Sequence, residues 1–273
     1  MYHMSEQTAN PSPDARRHRI LELLDREGEA PVEMLAERFG VSGMTIRRDL
    51  QDLADEGRVL RTHGGAAPAQ RISFEFRFLE NARQHADAKR EIANLAASLV
   101  EPGQTVILDS STTTLAIAKR LKAIDRLTVV TTSLPIASEL FGLDHVETVL
   151  LGGTLRKDSP DLFGAITDQN LEVLRGDVSF LGADAIDTEG GLYNTVPELG
   201  RMLSRMARSA TRAYAVADHS KFDRHELMRF ADAKDWTGLI TDGGLDRSIA
   251  SRLSQAGVNV LQPKTGKRGR ATR

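Results

Sequence analysis

The chain has 273 residues, 40% of them hydrophobic and 27% charged, a composition that argues against a wholly disordered protein. No apolar run approaches the roughly 18 residues that a transmembrane helix needs, and the polar start lacks the apolar segment of a signal peptide. Because the chain has no cysteine, disulfides and thiolate metal sites are excluded. We expect a soluble cytoplasmic protein with no metal, no other cofactor and no membrane partner.

The charge is nearly balanced, since 36 Lys and Arg residues stand against 38 Asp and Glu residues. Residues 1–65 carry 9 basic and 12 acidic side chains, whereas residues 258–273 carry 5 basic side chains and none that are acidic. No segment expected to fold is strongly basic. Any binding of nucleic acid must therefore depend on where individual arginines point.

Shifts in composition predict the domain organisation. We expect a disordered lead over residues 1–13 and a first domain over residues 14–65. A linker and connecting segment should cover residues 66–88, because the stretch at residues 63–69 is rich in Gly, Ala and Pro. A larger second domain should follow over residues 89–262, and a basic disordered tail over residues 263–273.

The first domain is predicted to hold three short helices. The first covers residues 14–27, and the second covers residues 31–39 with Pro31 at its first position and Gly40 after its end. Ser42 is placed to cap the third helix, over residues 43–55, which turns Ile46, Leu50 and Leu53 inward. A helix, a tight turn with Gly and a capped second helix form the helix-turn-helix arrangement.

The outer face of the third helix offers side chains that suit DNA. Arginine pairs with guanine in the major groove, glutamine pairs with adenine, and threonine contacts a thymine methyl group or a phosphate. Residues 58–65 are predicted to form a small hairpin, or wing, beside the DNA backbone. The candidate DNA contacts are Ser42, Met44, Thr45, Arg47, Arg48, Gln51, Arg58, Arg61 and His63. The alternatives are a solvated helix face or a helix-turn-helix used for protein contacts.

The second domain alternates short β-branched runs with helical stretches, which predicts a mainly parallel sheet covered on both faces. The predicted strands are Thr105–Asp109, Leu127–Thr132, Thr148–Leu151, Val178–Leu181, Arg212–Ala217, Gly238–Thr241 and Val258–Leu261. A helix over Lys89–Val100 fits the apolar spacing before the first strand.

Small, hydroxyl and charged residues follow several of these strands, where an open α/β sheet binds its ligands. Ser111–Thr114 opens a helix, whose backbone N–H groups and dipole attract anions. The candidate effector contacts are Asp109, Ser111, Thr112, Thr113, Thr114, Thr132, Gly152, Gly153, Asp184, Glu198 and Lys221. The alternatives are plain helix capping by the threonines and Asp109, and a surface role for Lys221.

Two strings in the first domain, Thr-Ile-Arg-Arg-Asp-Leu at 45–50 and His-Gly-Gly-Ala at 63–66, resemble the N-terminal signature of the DeoR family of bacterial transcriptional regulators. The second domain is similar to that family's effector domain at Leu108–Thr114, Leu150–Gly153, Phe180–Asp187 and Ala217–Phe222. The resemblance implies a winged helix-turn-helix followed by an α/β domain similar to sugar-phosphate isomerases. It implies a repressor of a sugar-catabolism operon that responds to a phosphorylated sugar.

Two functions remain open at this point. A regulator would bind double-stranded operator DNA as a homodimer or higher oligomer, with its affinity set by a sugar phosphate. A sugar-phosphate isomerase or transferase with an accessory domain would instead need a positioned base, for which Glu198 is the best candidate. We favour the regulator, because an enzyme has no need of a recognition helix and wing.

Overall fold

The computed structural model describes residues 12–56, 58–62, 64–68, 78, 81–157 and 159–263. The chain divides into two compact units, Met1–Leu79 and Glu80–Arg273. Disorder was predicted for both ends of the chain, and residues 1–11 and 264–273 lie outside the described residues. Helix α1 (Pro13–Glu27) begins one residue earlier than predicted, because Ser12 caps it and Pro13 occupies its first turn.

The described residues of the first unit form the helices and small sheet of a winged helix-turn-helix. The helices after α1 are α2 (Val32–Phe39) and α3 (Gly43–Asp55). The strands are β1 (Ala30–Pro31), β2 (Val59–Arg61) and β3 (Gly65–Pro68), antiparallel in the order β1-β3-β2. Gly40 has the left-handed φ of 63° that lets the chain turn from α2 to α3. Side chains from all three helices meet in one core, including Ile20, Leu24, Leu35, Ile46, Leu50 and Leu53.

The wing is longer than the sequence indicated. Residues 66–68, assigned to the linker, belong to β3, which pairs with β1 and β2. Their small side chains suit close packing as well as a turn: Ala66 is fully buried, and a Cβ at Gly65 would lie 2.1 Å from the carbonyl oxygen of Ala30. Pro31 lies in β1 rather than in α2, because the N–H of Val32 donates to the carbonyl of Gly64 at 2.8 Å.

The second unit is built from strands that alternate with helices. Its strands are β4 (Thr105–Leu108), β5 (Leu127–Thr131), β6 (Val146–Leu150), β7 (Thr154–Leu155), β8 (Leu162–Phe163), β9 (Gly176–Gly182), β10 (Ala185–Ile186), β11 (Gly191–Asn194), β12 (Ala210–Val216), β13 (Met228–Asp232), β14 (Gly238–Ile240) and β15 (Val260–Leu261). Its helices are α4 (Ala86–Ala97), α5 (Thr112–Leu121), α6 (Leu134–Leu140), α7 (Ala165–Val173), α8 (Pro197–Arg208) and α9 (Arg247–Gln255). The predicted helix Lys89–Val100 is α4, shifted three residues toward the N-terminus.

The main sheet is parallel, as predicted, in the order β15-β14-β12-β9-β4-β5-β6. Val106 and Leu108 pack on the face that α4, α5 and α6 cover, whereas Ile107 points to the face of α7 and α8. Both faces of a strand such as β4 are therefore apolar and buried. Two short antiparallel additions, β10-β11-β13 and the pair β7-β8, were not predicted.

The strand order reverses at the centre of this sheet. From β4 the chain moves outward to β5 and β6, then returns to β9 on the other side of β4. The loops after β4 and β9 thus leave their strands in opposite directions and open a crevice at the carboxyl edge. This is the place where an open α/β sheet binds its ligand.

Candidate functional site

Helix α3 presents an outer face that the first unit leaves open. Its inner face buries Ile46, Leu50 and Leu53, and the Ser42 hydroxyl caps it by accepting from the N–H of Thr45 at 3.2 Å. Met44 is 71% exposed on the outer side. Arg48 is also exposed, and it makes no ion pair with any described residue. These two side chains are the ones on α3 most available to a partner.

Other candidates on α3 are already engaged. The guanidinium of Arg47 lies 4.0 Å from a carboxylate oxygen of Glu33. Gln51 donates through its amide to Asp55 at 2.8 Å, and its carbonyl accepts from Arg61 of the wing at 2.9 Å. Gln51 therefore joins α3 to the wing, and it would have to release both contacts to read a base. Arg58 is exposed at the start of the wing, and His63 lies outside the described residues.

Charged side chains also fix α3 against α1. The guanidinium of Arg16 makes a two-point contact with Asp49, at 2.5 and 3.1 Å, and both side chains are buried. Arg17 makes a more open contact of 2.6 Å with Asp52. Sequence reasoning missed the first pair. A signal existed, because Asp49 lies three residues after Ile46 and so falls on the apolar face of α3.

The crevice at the carboxyl edge is held together by Asp109, which follows β4. One oxygen accepts from the backbone N–H of Gly182 after β9 at 2.8 Å, and the other accepts from the hydroxyl of Thr114 at 2.7 Å. Burial raises the pKa of Asp109, and these hydrogen bonds oppose the rise. Both carboxylate oxygens accept hydrogen bonds from protein groups, and the residue is buried. In this arrangement Asp109 joins the two sides of the crevice and presents no free oxygen to a sugar hydroxyl.

The N-terminus of α5 opens into this crevice. Ser111 caps the helix by accepting from the N–H of Thr114 at 3.2 Å, and Thr114 itself is fully buried. The N–H groups of Thr112 and Thr113 lie in the first turn, where a helix has no acceptor of its own for them. Gly182 is close enough that a Cβ there would lie 3.0 Å from Ser111. Capping and anion binding are thus compatible here, because the Ser111 hydroxyl caps the helix and the N–H groups of Thr112 and Thr113 remain for an anion.

Three predicted contacts follow β5 and β6, on the side of β4 away from β9. Gly152 and Gly153 follow the edge strand β6, two strand intervals or about 10 Å from β4. The close approach at Gly153 is made by the protein itself, since a Cβ there would lie 2.3 Å from the hydroxyl oxygen of Thr167. Thr132, after β5, is fully buried, and its carbonyl accepts from Leu162 at 3.0 Å.

Asp184 and Glu198 lie on the β9 side. Asp184 is half-buried, and one oxygen accepts from both the N–H and the hydroxyl of Thr195, at 3.0 and 2.7 Å. Glu198 is exposed in the first turn of α8, with its carboxylate 3.3 Å from Arg201.

Lys221 ends a 3-10 turn, His219–Lys221, that follows β12. It is half-buried and makes no ion pair with any described residue. The turn is anchored by Asp242 after β14, which accepts from the backbone N–H of His219 and contacts its ring, each at 2.8 Å. Burial acts to raise the pKa of Asp242, but hydrogen bonds from His219 and Gly244 outweigh it and lower the pKa below the ordinary range.

Across the described residues, no group of three or more metal-ligating side chains comes together, and no helix has the length and apolarity to cross a bilayer. A cavity of about 400 Å³ lies at the amino end of β12, lined in part by Phe230 and Trp236. It shares no residue with the crevice at the carboxyl edge.

The DeoR-like helix-turn-helix domain matches residues 16–71, and the DeoR C terminal sensor domain matches residues 84–243. This chain belongs to the DeoR family. Its HTH-type transcriptional regulator relative GlpR from Haloferax volcanii is 36% identical over 249 residues, which are 91% of this chain and 97% of GlpR. The glycerol-3-phosphate regulon repressor of Escherichia coli is 31% identical over 240 residues, covering 88% and 94% of the two chains.

Among solved structures, ribose 5-phosphate isomerase A from Methanocaldococcus jannaschii is similar at a TM-score of 0.37 and 18% identity, over 50% of this chain and 54% of that one. The curated relatives named above are transcription regulators, so the isomerase alternative is not favoured. The predicted helix-turn-helix and sensor organisation of a DeoR-family transcriptional regulator is confirmed.

The DeoR-family chain also contains polar residues near the crevice that sequence reasoning missed. Asp161 is fully buried and accepts from the hydroxyl of Ser110 at 2.5 Å, while the guanidinium of Arg156 lies 3.7 Å from its other oxygen. Lys89 of α4 is buried as well. Ser110 and Asp161 are 51 residues apart in the sequence and come together only in the folded domain. No local sequence motif therefore points to these side chains.

Proposed function

We propose that this DeoR-family regulator represses a sugar-catabolism operon, and that a phosphorylated sugar bound in the crevice at the carboxyl edge sets its operator affinity. The observation that carries the proposal is the first turn of α5 at the strand reversal. There the N–H groups of Thr112 and Thr113 open into the crevice between β4 and β9. A phosphate is the ligand that such a turn favours.

The surroundings of that turn support a phosphate ester over a bare anion. Lys221 follows β12, the strand next to β9, and supplies a positive charge without a carboxylate partner among the described residues. Asp184 follows β9 and is half-exposed, so its second oxygen is available to a sugar hydroxyl. The name of the Escherichia coli relative, a glycerol-3-phosphate regulon repressor, is consistent with this ligand class.

The decisive experiment compares the parent protein with Thr113→Glu, which sets a carboxylate where the phosphate is expected. Calorimetry against three- to six-carbon polyol and sugar phosphates should show binding to the parent and none to the variant. The bound ligand should change the parent's operator affinity by about 5- to 150-fold, the usual range of coupling between sites. Operator binding by ligand-free Thr113→Glu should stay close to that of the parent.

Because Thr113 is buried, two further variants keep this test decisive. Thr211→Glu adds the same charge at the opposite end of the sheet, where Thr211 is exposed, and should bind ligand like the parent. Lys221→Gln should weaken ligand binding about tenfold by removing one charge-assisted contact. If the variants at Thr113 and Lys221 both bind the ligand as the parent does, the site is elsewhere.

A further inference from the structure

The segment that enters the second unit lies against the carboxyl edge of the sheet. The ammonium group of Lys89 donates to the backbone carbonyls of Asn81 and Gln84, the latter at 2.8 Å. Glu91, two residues further along, accepts from the backbone N–H of Gly243 after β14 at 3.0 Å. The Lys89 contacts hold residues 81–84 against α4, and the Glu91 contact attaches α4 to the loop after β14. Residues before Asn81 lead along the chain to the DNA-binding unit.

A ring contact attaches the middle of the same segment. His85 has a left-handed φ of 52°, and its ring meets the ring of His219 edge-on, with centroids 5.3 Å apart. His219 begins the turn that ends in Lys221 and is itself anchored to Asp242. The segment therefore contacts the loops after both β12 and β14.

Charged groups at the carboxyl edge affect the pKa of the buried ammonium group of Lys89. Only 6% of the residue is exposed, and burial lowers its pKa. The carboxylate of Asp218 opposes this effect and the charge of Lys221 adds to it. A dianionic phosphate arriving beside Lys221 would change the electrostatic balance around Lys89 without touching it.

We propose that residues 81–91 are the coupling element through which ligand in the crevice changes DNA binding, with Lys89 as the positioning residue that holds the segment. This inference rests on the proposed function, since it assigns the regulation of the same site. Ligand that shifts the turn His219–Lys221 displaces the ring contact of His85 and changes the charges around Lys89. The segment leading to the DNA-binding unit then leaves from a different position.

The first test needs no ligand. Lys89→Met keeps the length of the side chain and removes the ammonium group, so hydrogen exchange of the backbone amides in residues 81–86 should rise about tenfold. The matched control is Arg90→Gln, which removes a charge from the next residue. Arg90 is exposed, and within the described part of the chain its ion pair is with Asp87 of the same helix. If the exchange rates of these amides in Lys89→Met stayed within twofold of those in the parent, Lys89 would not hold the segment and the inference would be overturned.

The second test measures coupling with whichever sugar phosphate binds the parent. Lys89→Met should bind both that ligand and ligand-free operator within about threefold of the parent. The ligand should then change operator affinity less than twofold, against the 5- to 150-fold expected for the parent and Arg90→Gln. A full response in Lys89→Met overturns the inference and leaves the proposed function intact. A parent that binds no sugar phosphate overturns the proposed function itself.

His85→Asn gives an independent variant should Lys89→Met fold poorly. Asparagine tolerates the left-handed conformation of this residue, so the change removes the ring contact with His219 and leaves the backbone unstrained. It should reduce the coupling factor at least threefold. An unchanged factor in His85→Asn would contradict a role for this contact.

Discussion

Asp49 shows how a charged side chain can occupy a core position of the recognition helix. It lies on the same face of α3 as Ile46 and Leu53, and the bidentate contact with Arg16 of α1 makes its burial tolerable. Such a pair adds little net stability, because both ions lose their hydration. What it does is fix the rotation of α3 relative to α1, which decides the side chains that face outward.

Breaking that pair on one side should be severe. Asp49→Ala removes the carboxylate that contacts a buried guanidinium at two points, and it should lower the free energy of unfolding of the DNA-binding unit by about 3–5 kcal/mol. Urea unfolding should show the loss in the transition of that unit, since the described residues of this hydrophobic core, Ile20 to Ala66, all belong to it. The double variant Arg16→Met with Asp49→Leu should recover most of the stability. A loss that remained in the double variant would contradict this account.

Arg48 is expected to read a base. It is exposed on the outer face of α3 and free of ion pairs among the described residues, so it reaches a major groove without first breaking a contact. Arg48→Ala should cost about 1–3 kcal/mol on the cognate operator and relax specificity at one position. Arg58→Ala, at the wing, should instead weaken binding to all sequences alike.

Fluorescence anisotropy on operator and scrambled duplexes, at a fixed salt concentration, separates the two effects. Equal losses on both duplexes for Arg48→Ala would assign it to the DNA backbone.

Among the helices and strands, the elements that could be predicted are those with a clear hydrophobic pattern. All seven parallel strands were found, because a strand buried on both faces is a continuous apolar run. Strand β3 was predicted only at its first residue, Gly65, as the end of the wing hairpin, because the alanines and proline after it have the composition of a linker. The sheet β10-β11-β13 was missed since β10 and β11 are short, and the pairing of β11 with β13, a segment distant in the chain, completes the sheet.

The turn His219–Lys221 should make stability depend on pH. The pKa of Asp242 is lowered in the folded protein from its ordinary value of 3.8, so the unfolded chain takes up this proton first as the pH falls. The stabilisation is complete above about pH 4 and is lost as the pH falls through the lowered pKa. Asp187 and Asp246 are shifted in the same direction.

Urea unfolding measured between pH 5 and pH 3 tests this expectation. Asp242→Asn should be less stable than the parent at neutral pH, because its amide cannot accept every hydrogen bond that the carboxylate accepts. Its free energy of unfolding should also fall less steeply with acid. A slope equal to that of the parent would assign the acid sensitivity to other carboxylates.

For the whole molecule, we expect a dimer or higher oligomer. Each chain carries one recognition helix, and residues 1–65 have a net charge of −3, so one copy offers few phosphate contacts. Two copies double those contacts and match a two-fold operator whose half-sites lie about 34 Å apart. Sedimentation should show an assembly at micromolar concentration; a monomer both alone and on DNA would refute this prediction.

Part of the candidate site could be predicted from the sequence. Strand order was not predictable, but the rule that ligands lie beyond the carboxyl ends placed Ser111–Thr114 and Lys221 in the proposed region. The same rule grouped Gly152 and Gly153 with them, and that grouping stays a prediction, because the rule says nothing about distance along a sheet. Lys89 escaped notice because a lysine in an amphipathic helix is ordinarily exposed.

The strand reversal between β4 and β9 has a consequence for how the second unit folds. The hydrogen bond from Gly182 to Asp109 closes a loop of 73 residues, which includes β5 and β6 and the helices between them. Contacts of such long sequence separation form late, because the entropy of closing the loop must be overcome first. The crevice exists only after that closure, so a ligand bound there stabilises the completed domain and no partly folded form.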